Sequence, residues 1–388
     1  MSIGNEYLSL EVLESLKPFY EKTALPMPKR HLHTRFARDF KEYYLPKVDF
    51  AHYTIPNMVD FQNGFRFPGE YVGQYGVYDA VSHVYSKNES LKHLLKDDYL
   101  LTNQKYFATD MERGVQAIRS NWRAQHNISP DAFTVFVAPG NEKNEVEFCF
   151  ENLRRGIKEF LLKYSSPTSL SPKALPLEDN FVTVISVHSG TQGEAAVKAL
   201  LKEREWTGRV IIVNEQDNAH YDAMAGSDFG FVYDGQMVSS ANALNLPVNC
   251  MIYMRMHHQW WHDFYNRWWN DMNILADGRI NQELIGGEVW FGKIAEQLAS
   301  FYIRPQGRVE AIQKAKGFIQ EGMSYKPLNR ADVRTKDLIL QDGDKYDQHY
   351  DPFQLSARIL LNDMEAYDAP FGQSESGLKA QQLQIPSL

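Results

Sequence analysis

Between residues 133 and 254, short apolar runs alternate with longer stretches of helix-like spacing. Phe133-Thr134-Val135-Phe136-Val137-Ala138 runs into Pro139-Gly140 and predicts a strand closed by a tight turn. Glu145 to Tyr164 reads as a long helix, and Ser165 to Asn180, rich in Ser and Pro, as a loop. Phe181 to Val187 is the next strand, followed by Ser189-Gly190 and a helix from Thr191 to Arg204. Val210-Ile211-Ile212-Val213 predicts a buried strand, and Asp228 to Tyr233 a strand that ends at Asp234-Gly235. Met237 to Leu244 is a short helix stopped by Pro247, and Asn249 to Met254 is again a strand. This series predicts βαβ units, a parallel sheet and a Rossmann-like α/β domain. Such sheets bind ligands at the carboxyl ends of their strands, with phosphates at helix N-termini. Asp234-Gly235-Gln236 is therefore the first candidate for a nucleotide turn. Ser189-Gly190 is a second, although a plain strand-to-helix connection is the simpler reading there.

The flanks are less regular. Leu8 to Lys17 predicts a helix closed by Pro18, and Arg35 to Tyr44 another. The basic cluster Lys29-Arg30-His31 between them reads as a solvated connector. Residues 47–80 look extended, and Lys87 to Lys96 and Met111 to His126 look helical. Gly286 to Ile303 and Arg308 to Gly322 continue the helical pattern. Beyond Met323 it dissolves into polar residues, with one further helix at Phe353 to Tyr367. The division expected is a helical arm with a partner-domain remnant at 1–130, the Rossmann-like domain at 131–322 and an extended arm at 323–388.

Composition narrows the possibilities. A net charge of -8 gives no basic face for nucleic acid. Cys149 and Cys250 are too few for a disulfide framework and suit a reducing compartment. No apolar run is long enough for a membrane-spanning helix. The first 22 residues lack a secretory core and are too acidic for an Arg-rich transit segment, and the start at Met1 suggests that no presequence is removed.

Four of the seven tryptophans, Trp260, Trp261, Trp268 and Trp269, recur with Phe264 and Tyr265 at the spacing of one helix face. Two readings stand: a helix pressed on its own core, or a docking face for a partner protein or lipid. His258 and His262 stand at i, i+4, but only Asp263 is nearby and it points off their face, so no metal is expected.

Four segments carry a family resemblance. They are Pro56 to Gln74 with Tyr71-Val72-Gly73; Pro139-Gly140-Asn141-Glu142 followed by Glu145-Val146; Asp234-Gly235-Gln236 with Pro247 and Met254-Arg255; and Asn273-Ile274-Leu275-Ala276 with Glu283-Leu284. In order and spacing they resemble lipid-A-disaccharide synthase, from about Val48 to Leu298. That family has the two-domain glycosyltransferase-B fold and makes a glycolipid disaccharide from UDP-diacylglucosamine. The resemblance implies a donor site at Gly140, Glu142, Asp234, Gly235, Gln236, Ser240 and Asn273.

The departures fall on that site. The family's donor-binding Arg is Glu142 here, its Ser-Gly-Thr is Asp234-Gly235-Gln236, and its ribose-holding Glu is Ser240. Like charges at about 4 Å cost on the order of 1–4 kcal/mol, so two carboxylates oppose a diphosphate. Asn273 is left as a polar contact, and Glu283 as a structural residue. Only 70 residues precede Tyr71, too few for the family's acceptor domain, and both cleft walls are needed to align donor and acceptor.

The function expected is a catalytically inactive glycosyltransferase-like protein, without cofactor, serving as a structural subunit. Its setting would be a membrane-associated assembly, mitochondrial respiratory or ATP synthase, on the matrix side of the inner membrane or at a cytosolic membrane periphery. Its partners would be other subunits, reached through the aromatic face and the C-terminal arm, with possible lipid contact. An active UDP-sugar-dependent glycosyltransferase and a regulatory nucleotide- or lipid-binding module are the alternatives.

Overall fold

A computed structural model describes residues 74–92, 104–164, 180–233, 235–252, 270–276 and 278–323, three short strands between residues 31 and 71, and the isolated residues Pro18, Lys22 and Leu360. The short strands, β1 (His31–Thr34), β2 (Phe50–Tyr53) and β3 (Gly69–Tyr71), pair in parallel in that order. His31 thus opens a strand, where a connector was expected.

The main sheet has six strands, all parallel: β4 (Phe133–Ala138), β5 (Phe181–Val187), β6 (Arg209–Asn214), β7 (Phe229–Val232), β8 (Val248–Ile252) and β9 (Gln282–Ile285). Their spatial order is β6-β5-β4-β7-β8-β9. The chain therefore starts in the middle, builds outward to β6, then crosses back and builds outward to β9. That is the doubly wound Rossmann order, and its switch point lies between β4 and β7. β4, β5, β7 and β8 are buried along their whole length, as their near-continuous apolar sequences require. β6 differs from expectation. It is an outer strand of this sheet, and Ile212 is 43% exposed.

Alternation along each strand feeds two cores. Phe133, Val135 and Val137 face one side, Phe136 and Ala138 the other. On the first side lie α3 (Lys143–Tyr164), α4 (Gln192–Glu203) and α8 (Phe291–Ile303). There Phe133, Phe160, Phe181 and Tyr302 form an aromatic cluster with ring centroids 5.6–6.3 Å apart. α3 and α8 touch at Gly156, where an added Cβ would lie 2.8 Å from the Phe291 carbonyl.

On the second side lie α1 (Tyr75–Lys87), α2 (Gln104–Gln125), α5 (Ala219–Gly226), α6 (Gly235–Ala243), α7 (Asp271–Ala276) and α9 (Pro305–Met323). α1 replaces part of the stretch expected to be extended, and ends at Lys87, where a helix was expected to begin. Val77, Ala80, Val81 and Val84 supply the i, i+3, i+4, i+7 stripe that makes it a helix. It packs on α6, and α2 packs on α5, so both helices share the core of the sheet. α8 starts at Phe291, after a single 3-10 turn at Gly286–Glu288. The expected helices at 8–17, 35–44 and 353–367, and the arm at 323–388 beyond Met323, lie outside the described residues, apart from Leu360.

Candidate functional site

The switch point fixes where a ligand of this fold would sit: outside the carboxyl ends of β4 and β7. At β4 the chain turns through Gly140, whose φ of 109° is closed to most side chains. Any Cβ there would also meet the Glu145 carboxylate at 2.5 Å. Glu145, in the first turn of α3, folds back over the turn. Its Oε2 accepts from the N–H groups of Asn141 and Glu142, both at 3.1 Å. Those are donors that would otherwise be offered to an anion. The Tyr233 phenol, just after β7, lies within electrostatic reach of the same carboxylate. Burial first, then Glu145, raises the pKa of that phenol. Tyr233 N–H also donates to Ala138 C=O at 2.8 Å, locking the two strand ends together.

Glu142 is exposed on this turn. Its neighbour Lys143 lies 3.6 Å from Glu147, further along the helix. The turn therefore carries two carboxylates, with its nearest cation drawn away. The crevice toward β5 is closed by backbone: Gly193 N–H donates to Asn141 C=O at 2.8 Å, and a Cβ on Gly193 would lie 2.7 Å from the Gly140 carbonyl oxygen. Ser189-Gly190 is self-satisfied in the same manner. Gly190 N–H donates to Glu194 Oε2 at 2.8 Å, and Thr191 Oγ1 caps Glu194 N–H at 3.2 Å. This is the plain strand-to-helix connection.

Two of the remaining expected site residues, Ser240 and Asn273, are engaged elsewhere. Ser240 is buried and donates to Gly76 C=O at 2.8 Å, tying α6 to α1. Asn273 is fully buried and spends its amide inside one loop. It donates to Asn281 C=O at 2.8 Å and Glu283 at 3.1 Å, and accepts from Ile280 and Asn281 N–H at 2.7 and 2.9 Å. The amide of Asn273, expected as a polar contact of the site, is spent in positioning β9. Gly235 and Gln236 open α6, while Asp234 lies outside the described residues. So do the six aromatic residues Trp260, Trp261, Phe264, Tyr265, Trp268 and Trp269, together with His258 and His262.

A cluster of titratable groups that the sequence did not signal lies where α1 meets α5. His83 Nε2 is 2.6 Å from Asp222 Oδ1, and Lys87 Nζ is 3.4 Å from Asp222 Oδ2. Burial works to raise the Asp222 pKa, but the His83 bond and charge, with Lys87, outweigh it and leave it lowered. His83 is buried and packs near Tyr221, so the pair fastens two helices. Next to it, burial and then the charge of His83 lower His220 to about 4. An ordinary unfolded histidine titrates at about 6.5, so the folded chain binds fewer protons between these values. Stability contributed by neutral His220 is complete above about 6.5 and is lost as the pH falls through about 4, at up to about 1.4 kcal/mol per pH unit. Urea unfolding at stepped pH should show this slope in the wild type, and a shallower one in His220→Phe.

Among the described residues, no cluster of three or more His, Cys, Asp or Glu could hold a metal ion. Nor is any described helix long and apolar enough to cross a membrane. Cys149 is buried, and burial first, then Glu145, raises its thiol far from reactivity.

No protein-family model matches the sequence, and no curated protein does. Solved structures with a similar course of the chain include UDP-GlcNAc 2-epimerase from Neisseria meningitidis bound to UDP-GlcNAc, at 12% identity and a TM-score of 0.37 over 81% of this chain and 80% of that one. S. aureus MnaA in a co-structure with UDP is similar at 12% and 0.41, over 83% and 78%. WaaG, a glycosyltransferase involved in lipopolysaccharide biosynthesis, is similar at 11% and 0.38, over 82% and 80%. The α/β assignment itself rests on the six parallel strands and their order.

Proposed function

We propose that the chain is a glycosyltransferase-like protein that has given up sugar transfer and serves as a structural subunit of a membrane-associated assembly. The observation that carries this reading is the switch-point turn. Its N–H groups donate to an internal carboxylate, Glu145, and the resemblance to lipid-A-disaccharide synthase puts Glu142 where that family has a donor-binding Arg. The family motif also carries a Glu at the position of Glu145, so the weight falls on Glu142. Ser240 and Asn273, engaged elsewhere, add to it. In this reading the partners are other protein subunits, met through the aromatic stretch 260–269 and the arm 323–388. The proposed setting is the matrix side of the mitochondrial inner membrane, in a respiratory or ATP synthase complex.

Calorimetry with UDP and UDP-sugars is the direct test. No heat is expected at micromolar ligand. A micromolar dissociation constant overturns the reading and favours a UDP-sugar-dependent enzyme. Co-purification in mild detergent then identifies the assembly.

A further inference from the structure

We infer that the outer face of α3, with the start of α8, docks on an anionic lipid surface. Five large apolar side chains stand exposed among the described residues, and three of them lie together here: Leu162 at 65%, Trp290 at 48% and Phe291 at 36%. Leu162 and Phe291 line a shallow groove of about 600 Å³ whose other walls are Arg154, Arg155, Lys158, Glu159 and Lys163. Trp290 adjoins it, its ring 5.5 Å from that of Phe291.

The charge of this face runs against that of the chain. Arg154, Arg155 and Arg204 all converge on the single carboxylate of Glu151, at 2.9, 2.6 and 2.5 Å. The bond to Arg154 is the main reason that Glu151 titrates at about 2, although burial opposes it. Lys158 and Lys163 face one further acid, Glu159. The groove lining itself sets four cations, Arg154, Arg155, Lys158 and Lys163, against one acid, on a protein of net charge -8.

Apolar and indole side chains set among lysines and arginines are the pattern of an interfacial contact. The rings enter the headgroup boundary, and the cations meet anionic lipid. A groove this open suits a broad surface. The inference stands apart from the loss of nucleotide binding, and calorimetry with UDP does not bear on it.

Vesicle co-sedimentation of the full chain tests it. Phosphatidylserine-containing vesicles should bind the wild type, neutral phosphatidylcholine vesicles should not, and added salt should weaken binding. Reversing Lys158 and Lys163 together (K158E/K163E) should lower partitioning by tenfold or more, since each removed cation is worth roughly fivefold. Leu162→Ser should lower it several-fold with an unchanged melting temperature. Because the readout is the difference between variants, lipid contacts elsewhere in the chain do not mimic it. Equal binding to both vesicle types, or variants that bind like the wild type, overturn the inference. So does equal binding to soluble polyglutamate without any effect of Leu162→Ser, which would assign the face to an acidic protein.

Discussion

Asp228→Ala is expected to destabilise the protein by about 3–5 kcal/mol, the range for removing one partner of a buried ion pair. Three guanidiniums converge on this one carboxylate: Arg119 at 2.7 Å, Arg123 at 3.5 Å and Arg308 at 2.5 Å. They come from α2 and α9, while Asp228 itself immediately precedes β7. Its Oδ2 also accepts from Thr134 N–H at 2.9 Å, so the hub includes β4. Arg123 is buried, and burial, only partly offset by Asp228, lowers its pKa. Bonds from its two terminal nitrogens to the carbonyls of Gly226, Ser129 and Ala132, at 3.0, 2.6 and 2.6 Å, do not neutralise it, and its buried Nε has no partner. Asp228→Asn keeps the shape and loses the charge, so it should cost nearly as much as Asp228→Ala. Urea unfolding followed by circular dichroism reads both. A loss below about 1 kcal/mol in either variant would mean that the hub relaxes around the missing charge.

Asn273→Asp is expected to be the more damaging of two small changes at that position. The amide nitrogen donates to the Asn281 carbonyl and to Glu283, which also accepts from the Asn270 N–H and amide at 2.7 and 2.6 Å. A carboxylate would turn both contacts into oxygen against oxygen, one of them between like charges, at a fully buried position. The loss should reach about 3–5 kcal/mol, against about 2–3 kcal/mol for Asn273→Ala, which only strands its partners. Melting curves of the two variants decide it. If both melt like the wild type, Asn273 is free for a ligand after all.

Much of the sheet was legible in the sequence because its strands are buried on both faces. Phe181 to Val187 is apolar enough to be read to the residue. Turn chemistry at Pro139-Gly140 and Pro247 placed the helices between them. β6 misled for a physical reason: Val210 to Val213 is as apolar as an inner strand, yet position in a sheet is set by crossover order, which local composition does not encode. α1 was missed where its period ran across a stretch crowded with aromatic and glycine residues. The site was legible only in part. Gly140 and Glu142 stand on the switch-point turn, but Ser240 is held by Gly76, 164 positions away, and Asn273 by Asn281, through a loop whose course no hydrophobic spacing encodes. Nothing at Arg119, Arg123 or Asp228 marks them as one hub, since two of them lie more than 100 positions from the third.

The sheet's central pairing also sets a clock on synthesis. Val135 in β4 pairs with Phe229 in β7, and the hub contact between Thr134 and Asp228 spans 94 positions. At roughly 5–20 residues per second, β4 waits about five to twenty seconds on the ribosome before its second neighbour exists. During that interval one edge of a strand destined for full burial is uncovered, and the guanidinium of Arg123 has no counter-ion. The nascent chain is therefore at its most vulnerable while residues 139–228 are being made, which is the window in which a chaperone would have to hold it.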